Sequence, residues 1–422
     1  MSSSPEKSAS PSPPDADRSA PAAVSVPAPE RPARPVRHLY VHVPFCASKC
    51  GYCAFYSEAA SAELKDRYVR ALLRELELVA DDLAPETIYF GGGTPTLLSP
   101  RQWETILAAF HRRGWGRPAE WTVEGNPATL SPDKARLLRE HGVNRFSLGI
   151  QSLDAGLLER LGRVHTREQA FRSFDLLRRA GFDNLNVDLM FAIPGQTMAL
   201  WRRTLTEALA LQSEHLSCYE VIYEEDTPLF AQLRAGECDR DEDLAGAMYD
   251  VLVETVRARG FRRYEVANFA RHAGPAAAEL PDRACRHNVA YWRGREFYGL
   301  GPSASSLIGG ARPRNWADTR RYCALLERGR RPVESRDRLS PLARAAELAA
   351  FGLRMDAGWP FAEFQAATGF DLRDEWADDL RWLVEQGWGE WRPDRFRLTE
   401  RGLRFADLAA ERLLRPDPPA AG

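Results

Sequence analysis

From residue 37 onward, apolar and polar positions fall into two alternating rhythms. Short runs of β-branched and aromatic residues are followed by longer stretches whose apolar residues recur three and four apart. The short runs predict strands at 38–43 (HLYVHV), 87–90 (TIYF), 121–125 (WTVEG), 145–149 (RFSLG), 184–190 (NLNVDLM) and 215–222 (HLSCYEVI). The stretches between them, at about 60–80, 100–112, 131–141, 166–180 and 197–211, predict helices. Ser99 before Pro100, and Ser131 before Pro132, place a capping hydroxyl ahead of a proline at the first helical position. Six strands separated by helices make an α/β fold with a parallel sheet. With so many units the sheet closes as a full or partial barrel, whose working end is the C-terminal edge of the strands.

A helical stretch at 241–259 and the strand-like RRYEVANFA (262–270) extend this domain, followed by an irregular segment rich in Gly, His and aromatics to about residue 310. The domain therefore spans 37–310, with a connecting segment at 311–334. Beyond residue 335 the rhythm changes: helical segments at 340–354, 360–367 and 372–387 precede short strands around 389–392 and 395–399 and a final helix to about 414. Three helices and a hairpin predict a small winged-helix-like α+β module over 335–415. Its mixed acidic and basic residues suit an interaction or lid role better than DNA binding.

Residues 1–36 hold nine prolines and no aromatic side chain, so they cannot offset the entropy of ordering and read as a disordered tail. Residues 416–422 read as a second. The first also lacks the apolar core of a signal peptide, and the cytoplasm is the expected compartment. In the 422-residue chain, Lys+Arg 57 against Asp+Glu 59 leaves a formal charge of -2 and no global field for nucleic acid or anionic lipid. No apolar run approaches the roughly 18 residues of a membrane span. Only four of the cations are Lys, so an isolated Arg is weak evidence of an anion contact.

Chemistry enters with the cysteines. Of seven, Cys46, Cys50 and Cys53 are crowded after the first strand as C-x3-C-x2-C, while Cys218, Cys238, Cys285 and Cys323 are scattered. A disulfide framework does not look like this; a metal site in a reducing compartment does. Structural zinc wants four closed ligands, commonly in paired knuckles, and no second knuckle is present. An electron-transfer [4Fe–4S] cluster usually takes four Cys, so three thiolates leave one iron open for a ligand. Gly91-Gly92-Gly93-Thr94 follows the second strand, where missing side chains permit either a plain turn or close backbone approach to a ligand. Glu124, Gln151 and Asp188 end or follow successive strands, where carboxylates and an amide suit ribose hydroxyls.

The segment YVHVPFCASKCGYCAF resembles the cluster loop of the radical S-adenosylmethionine (SAM) superfamily. That resemblance implies a partial (β/α)6 barrel in which the open iron binds the amino and carboxylate groups of SAM, with an electron donor required to split the sulfonium. It also implies that Tyr40 and Tyr52 flank the cluster loop, that Gly92, Gly93 and Thr94 hold the amino end of SAM, and that Arg163 lies over the nucleotide. Residues 38–310 resemble the oxygen-independent coproporphyrinogen III dehydrogenase branch, and the C-terminal module resembles that branch's accessory domain. Members of that branch carry a further Cys two residues after the third ligand, and here Phe55 stands there. The C-x-F ending, with His287-Asn288-Val289-Ala290-Tyr291-Trp292, is similar to the sister group of HemW-type heme chaperones. That likeness implies heme as ligand, His287 as its iron ligand, Tyr and Trp as flat cover for a macrocycle, and heme-accepting apo-proteins as partners. Porphyrinogen decarboxylation is the rival activity, and Phe55 weighs against it.

Overall fold

Strands that alternate strictly between apolar and polar side chains put one row outward and one inward. This chain does so in six consecutive parallel strands. The computed structural model describes residues 32, 34–275 and 278–417. Most of the predicted N-terminal tail, and residues 418–422 of the C-terminal one, lie outside them.

The first six strands are β1 (Val36–Val43), β2 (Leu83–Gly92), β3 (Glu120–Gly125), β4 (Arg145–Gln151), β5 (Leu185–Phe191) and β6 (His215–Glu220). Each pairs in parallel with its successor. Then β7 (Phe261–Arg263) and β8 (Asn268–Arg271) add antiparallel strands beyond β6, while β9 (Tyr298–Leu300) adds a parallel strand beside β1. The order β7-β8-β6-β5-β4-β3-β2-β1-β9 has two ends, so the barrel is partial. The outward rows, among them Leu39, Val41, Ile88, Phe90, Trp121, Val123, Phe146, Leu148, Val187 and Leu216, pack on the helices as one buried core. Helix starts follow the predicted chemistry: Ser99 and Gln102 form a reciprocal capping box, and Ser131 accepts from the Lys134 amide.

Several elements depart from the sequence reading. The stretch 262–270 is two antiparallel strands and not one, because the Glu265 carboxylate takes the Ala267 amide and turns the chain. Helices Ala155–Arg160, Pro228–Arg234 and Arg286–Trp292 are too short for a periodicity to declare itself. The last contains HNxxYW, inside the segment expected to be irregular; its first amides donate to the buried Glu120 carboxylate. Residues 311–334 carry structure of their own: β10 (Ala311–Asn315) pairs with β11 (Val333–Arg338) around helix Thr319–Glu327.

The C-terminal module has a separate apolar core built on Trp359, Phe364, Trp376, Leu380, Leu383 and Phe396. Its sheet gains a third strand: β12 (Trp359–Pro360) joins β13 (Gly389–Trp391) and β14 (Arg395–Leu398) in the order β12-β14-β13. The helix predicted at 372–387 breaks at Trp376, whose indole turns inward to donate to the Leu413 carbonyl at 2.8 Å. No helix among the described residues is long and apolar enough to cross a membrane.

Candidate functional site

The inward rows of β2 to β6 are polar: Tyr89, Glu124, Arg145, Ser147, Gln151, Asn186, Asp188 and Ser217 all line one cavity of about 500 Å³. Parallel barrels commonly fill this space with branched apolar residues, so a polar, unfilled interior marks a ligand site. Of the residues singled out from the sequence, Cys46, Cys50, Tyr52, Cys53, Gly92, Gly93, Thr94, Glu124, Gln151, Arg163 and Asp188 line this cavity. Tyr40 and His287 do not.

The cysteine loop is held by backbone bonds to its surroundings. The Cys46 amide donates to the Glu58 carbonyl at 3.1 Å, the Gly51 amide to Leu161 at 3.1 Å, and Gly51 accepts from Leu229 at 2.9 Å. The glycine loop presses against it, with the Gly93 amide on the Val43 carbonyl and the Thr94 amide on Phe45. A Cβ on Gly93 would sit 2.7 Å from the Phe45 carbonyl oxygen, so glycine is required for this approach. Gly92 has φ +101°, and a Cβ there would meet the His42 ring at 2.4 Å. The Cys46 thiol lies 3.7 Å from the Thr94 hydroxyl, and an Arg163 amino group lies 3.7 Å from Cys50 Sγ.

All three cysteines are free thiols reaching the cavity. Among the described residues no three such donors converge on a single-ion position. A cubane instead takes each thiolate on its own iron corner, and three thiols from one loop at one cavity fit that demand with a corner left over. Burial pushes the Cys53 thiol up, so cluster binding there releases a proton.

Tyr40 acts through a relay. The neutral His42 ring, its pKa lowered to about 4 by burial, donates from Nε2 to the Tyr56 carbonyl at 2.9 Å, leaving Nδ1 to accept the Tyr40 hydroxyl at 3.1 Å. Tyr56 follows the cysteines, so Tyr40 braces the loop from below. On the opposite wall Arg163 also donates to the Gly149 carbonyl at 2.5 Å, bridging β4 to the loop. Gln151 sits at a bulge in the β4–β5 pairing with φ +65°, a left-handed conformation that costs a residue with a side chain.

Deeper in, burial pushes the Glu124 carboxyl up to about 7, with Asp188 adding to the shift although the Tyr89 hydroxyl, at 2.7 Å, opposes it. Asp188, raised for the same first reason, accepts from Ser147 Oγ at 3.1 Å and Asn186 Nδ2 at 2.7 Å. His287 lies under the cavity floor, 1% exposed, its ring 5.2 Å from Tyr89 and 4.7 Å from Tyr291. Burial lowers its pKa to about 3; Nδ1 meets the Thr87 hydroxyl at 2.8 Å and Nε2 has no partner. That nitrogen is enclosed by the surrounding rings. Its neighbour Asn288 does line the cavity.

Sequence reading missed Arg145, Ser147, Asn186 and Ser217, and gave Asn288 no role of its own within the HNxxYW motif. The signal was present in β4 and β5, where polar residues alternate with apolar ones. It singled out Phe55 but missed its exposed companions at the mouth, Val164, Tyr219 and Ile222.

Residues 40–208 match the radical SAM superfamily model, and residues 339–405 match the HemN C-terminal domain. The chain is 33% identical over 358 residues to the heme chaperone HemW of Bacillus subtilis, covering 83% of this chain and 92% of that one. The HemW of Escherichia coli is 31% identical over 389 residues, covering 90% and 98%. Among solved structures, coproporphyrinogen III oxidase (HemN) from Escherichia coli superposes with a TM-score of 0.76 at 21% identity, covering 91% of both chains, which establishes the shared fold. Likeness at this identity over nearly the full length of the HemW chains, with the cysteine loop on the cavity, places the chain in the HemW family of the radical SAM superfamily.

Proposed function

We propose that the chain is a heme chaperone: it binds heme at the mouth of a cavity that holds a [4Fe–4S] cluster and SAM, and passes the heme to apo-proteins. The observation that carries this is the mouth itself. Phe55 is 67% exposed and Ile222 65%, and with Val164 and Tyr219 they surround the entrance to a polar cavity. Large apolar side chains grouped at one opening suit a flat apolar ligand, and Phe55 occupies the position where the dehydrogenase branch has a cysteine.

Within the cavity Cys46, Cys50 and Cys53 would hold three irons, and Gly92, Gly93 and Thr94 would take the amino end of SAM. Glu124 and Asp188 would accept ribose hydroxyls, while Gln151 and Arg163 would face the nucleotide from β4. Tyr40 and Tyr52 support the loop. The cluster supplies, when bound, an open iron and an electron, so an electron donor is a required partner and a reducing compartment such as the cytoplasm is the fitting location. His287 becomes an iron ligand only in an opened state in which the heme moves from the mouth to the barrel floor and Tyr89 and Tyr291 separate to free Nε2.

The test is heme titration of the anaerobically reconstituted protein, with coproporphyrinogen III, SAM and reductant in a parallel sample. Saturable heme binding that weakens at least tenfold in Phe55→Ser with Ile222→Ser, with no decarboxylated product, is the expected result. Protoporphyrinogen formation without heme binding overturns the reading. Unchanged heme spectra in His287→Ala remove that residue as a ligand.

A further inference from the structure

The three thiols of the cysteine loop meet different surroundings. Cys46 lies beside the neutral Thr94 hydroxyl, and Cys53 takes a hydrogen bond from the Phe55 amide. Cys50 meets a cation directly: Nη1 of Arg163 donates to its Sγ at 3.7 Å.

Local folding fixes that contact. Helix Ala155–Arg160 closes through Gly162 at φ +71°, with the Gly162 amide on the Glu159 carbonyl and the Arg163 amide on the Leu158 carbonyl, both at 2.9 Å. This double closure is a Schellman turn, whose left-handed position glycine takes without a Cβ penalty. The turn lies against the cysteine loop: the Gly51 amide donates to the Leu161 carbonyl, and a Cβ on Gly162 would stand 3.4 Å from the Gly51 nitrogen and 3.6 Å from Cys50 Cα. Arg163 therefore starts beside Cys50. Its second amino group, on the Gly149 carbonyl, holds the guanidinium in place.

No carboxylate takes this charge at contact distance. Arg163 makes no ion pair among the described residues, and its buried Nε has no partner. Asp188 acts on it only from beyond ion-pair distance, and Tyr52 stays neutral because burial pushes its hydroxyl up. Lys49, which acts on Cys53, is exposed, so water and salt screen it.

Reducing an iron–sulfur cluster adds one electron, supplied by a one-electron donor, and makes the cluster and its thiolates more negative. A cation that also donates a hydrogen bond to one of those sulfurs stabilises the reduced state over the oxidised one. We propose that Arg163 raises the reduction potential of the cluster through a charged N–H···S bond to the Cys50 ligand. It acts through Cys50, as a tuning residue, independently of its place facing the nucleotide. The inference rests on the cluster reading and not on the heme reading.

The experiment uses the full-length protein, reconstituted anaerobically with iron and sulfide and free of SAM, as wild type, Arg163→Lys and Arg163→Gln. Iron and sulfide per chain measure cluster content, and a dithionite titration followed by electron paramagnetic resonance gives the midpoint potential. At equal cluster content, Arg163→Gln should lower the ratio of reduced to oxidised cluster at a fixed potential about tenfold, which is about 59 mV for a one-electron couple. Arg163→Lys keeps the charge and loses the planar fork, so its potential should fall between the other two. Protein labelled with heavy-nitrogen arginine reads the contact itself: the reduced wild-type cluster should show a nitrogen coupling that Arg163→Lys lacks. Equal potentials in the three proteins overturn the inference, and so does a wild-type cluster without that coupling. Should Arg163→Gln take up no cluster, the coupling and the Arg163→Lys potential decide the matter in the same way. A wild type that takes up no cluster overturns the cluster reading, and the inference with it.

Discussion

The barrel and the C-terminal module bury opposite kinds of residue. Inside the barrel lie Glu124, Arg145, Asn186, Asp188, His215 and Ser217, all buried or lining the cavity, and the last four are joined by polar contacts: Asn186 bonds Asp188 and Ser217, and His215 bonds Asn186 at 2.6 Å and Tyr264 at 2.8 Å. Inside the module lie Trp359, Phe364, Trp376 and Phe396, the first three packed ring against ring. An apolar core is complete as folded, since its stability comes from removing surface from water. A polar interior with carboxyls raised by burial is incomplete until a ligand arrives. Substitutions should therefore separate into those that damage ligand binding and those that damage folding.

The largest separation is expected at Cys50. Cys50→Ser removes a thiolate that no neighbouring residue replaces, so the iron–sulfur absorbance of reconstituted protein should vanish while far-ultraviolet circular dichroism stays unchanged. A normal cluster in that variant breaks the ligand assignment. The converse is Trp376→Ala. Its indole is fully buried, donates to Leu413 and meets Phe364 edge-on at 5.6 Å. Removing it should cost about 3–5 kcal/mol of stability, read by denaturant unfolding, with cluster absorbance intact. Loss of the cluster without loss of stability would reverse the comparison.

Glu124 belongs to both sides, because a buried acid affects folding as well as binding. Its carboxyl is pushed from 4.5 to about 7, so the folded chain holds a proton that the unfolded chain has released across that window. Stability contributed by this group is full below about 4.5 and falls as pH rises toward about 7, a loss of about 3 kcal/mol at 1.36 kcal/mol per unit. Glu124→Gln should flatten the stability profile between these limits and weaken SAM binding above them. An unchanged slope would show that Glu124 titrates normally.

The fold was legible because six strand-and-helix repeats leave little topological choice, and the cysteine loop because its spacing is unusual. What was hidden depended on depth and contact. RFSLGIQ and NVDLMF look like ordinary strands until one asks which row faces inward; only then do Arg145, Ser147 and Asn186 fall on one surface. His287 was visible as a motif, but no spacing reveals that Tyr89 and Tyr291 enclose it. Gly93 reads as a ligand contact from sequence, whereas its missing side chain is demanded first by the Phe45 backbone. Trp376 breaks a helix that periodicity runs through, because Leu413, far along the chain, supplies the acceptor.

The smallest expected effect is the most discriminating. Gln151 holds φ +65° at the bulge where β4 and β5 lose register, beside the Arg163 contact to Gly149. A left-handed residue with a Cβ costs roughly 1–2 kcal/mol, part of which glycine gives back through its freer unfolded chain. Gln151→Gly should therefore raise stability by no more than about 1 kcal/mol, while SAM binding weakens because the amide facing the cavity is gone. Gln151→Ala removes the amide and keeps the strain, so it should match the glycine variant in SAM affinity and fall below it in stability. If both variants bind SAM as wild type does, the bulge serves only the turn into helix Ala155–Arg160, and the strain at this strand end belongs to folding and not to the site.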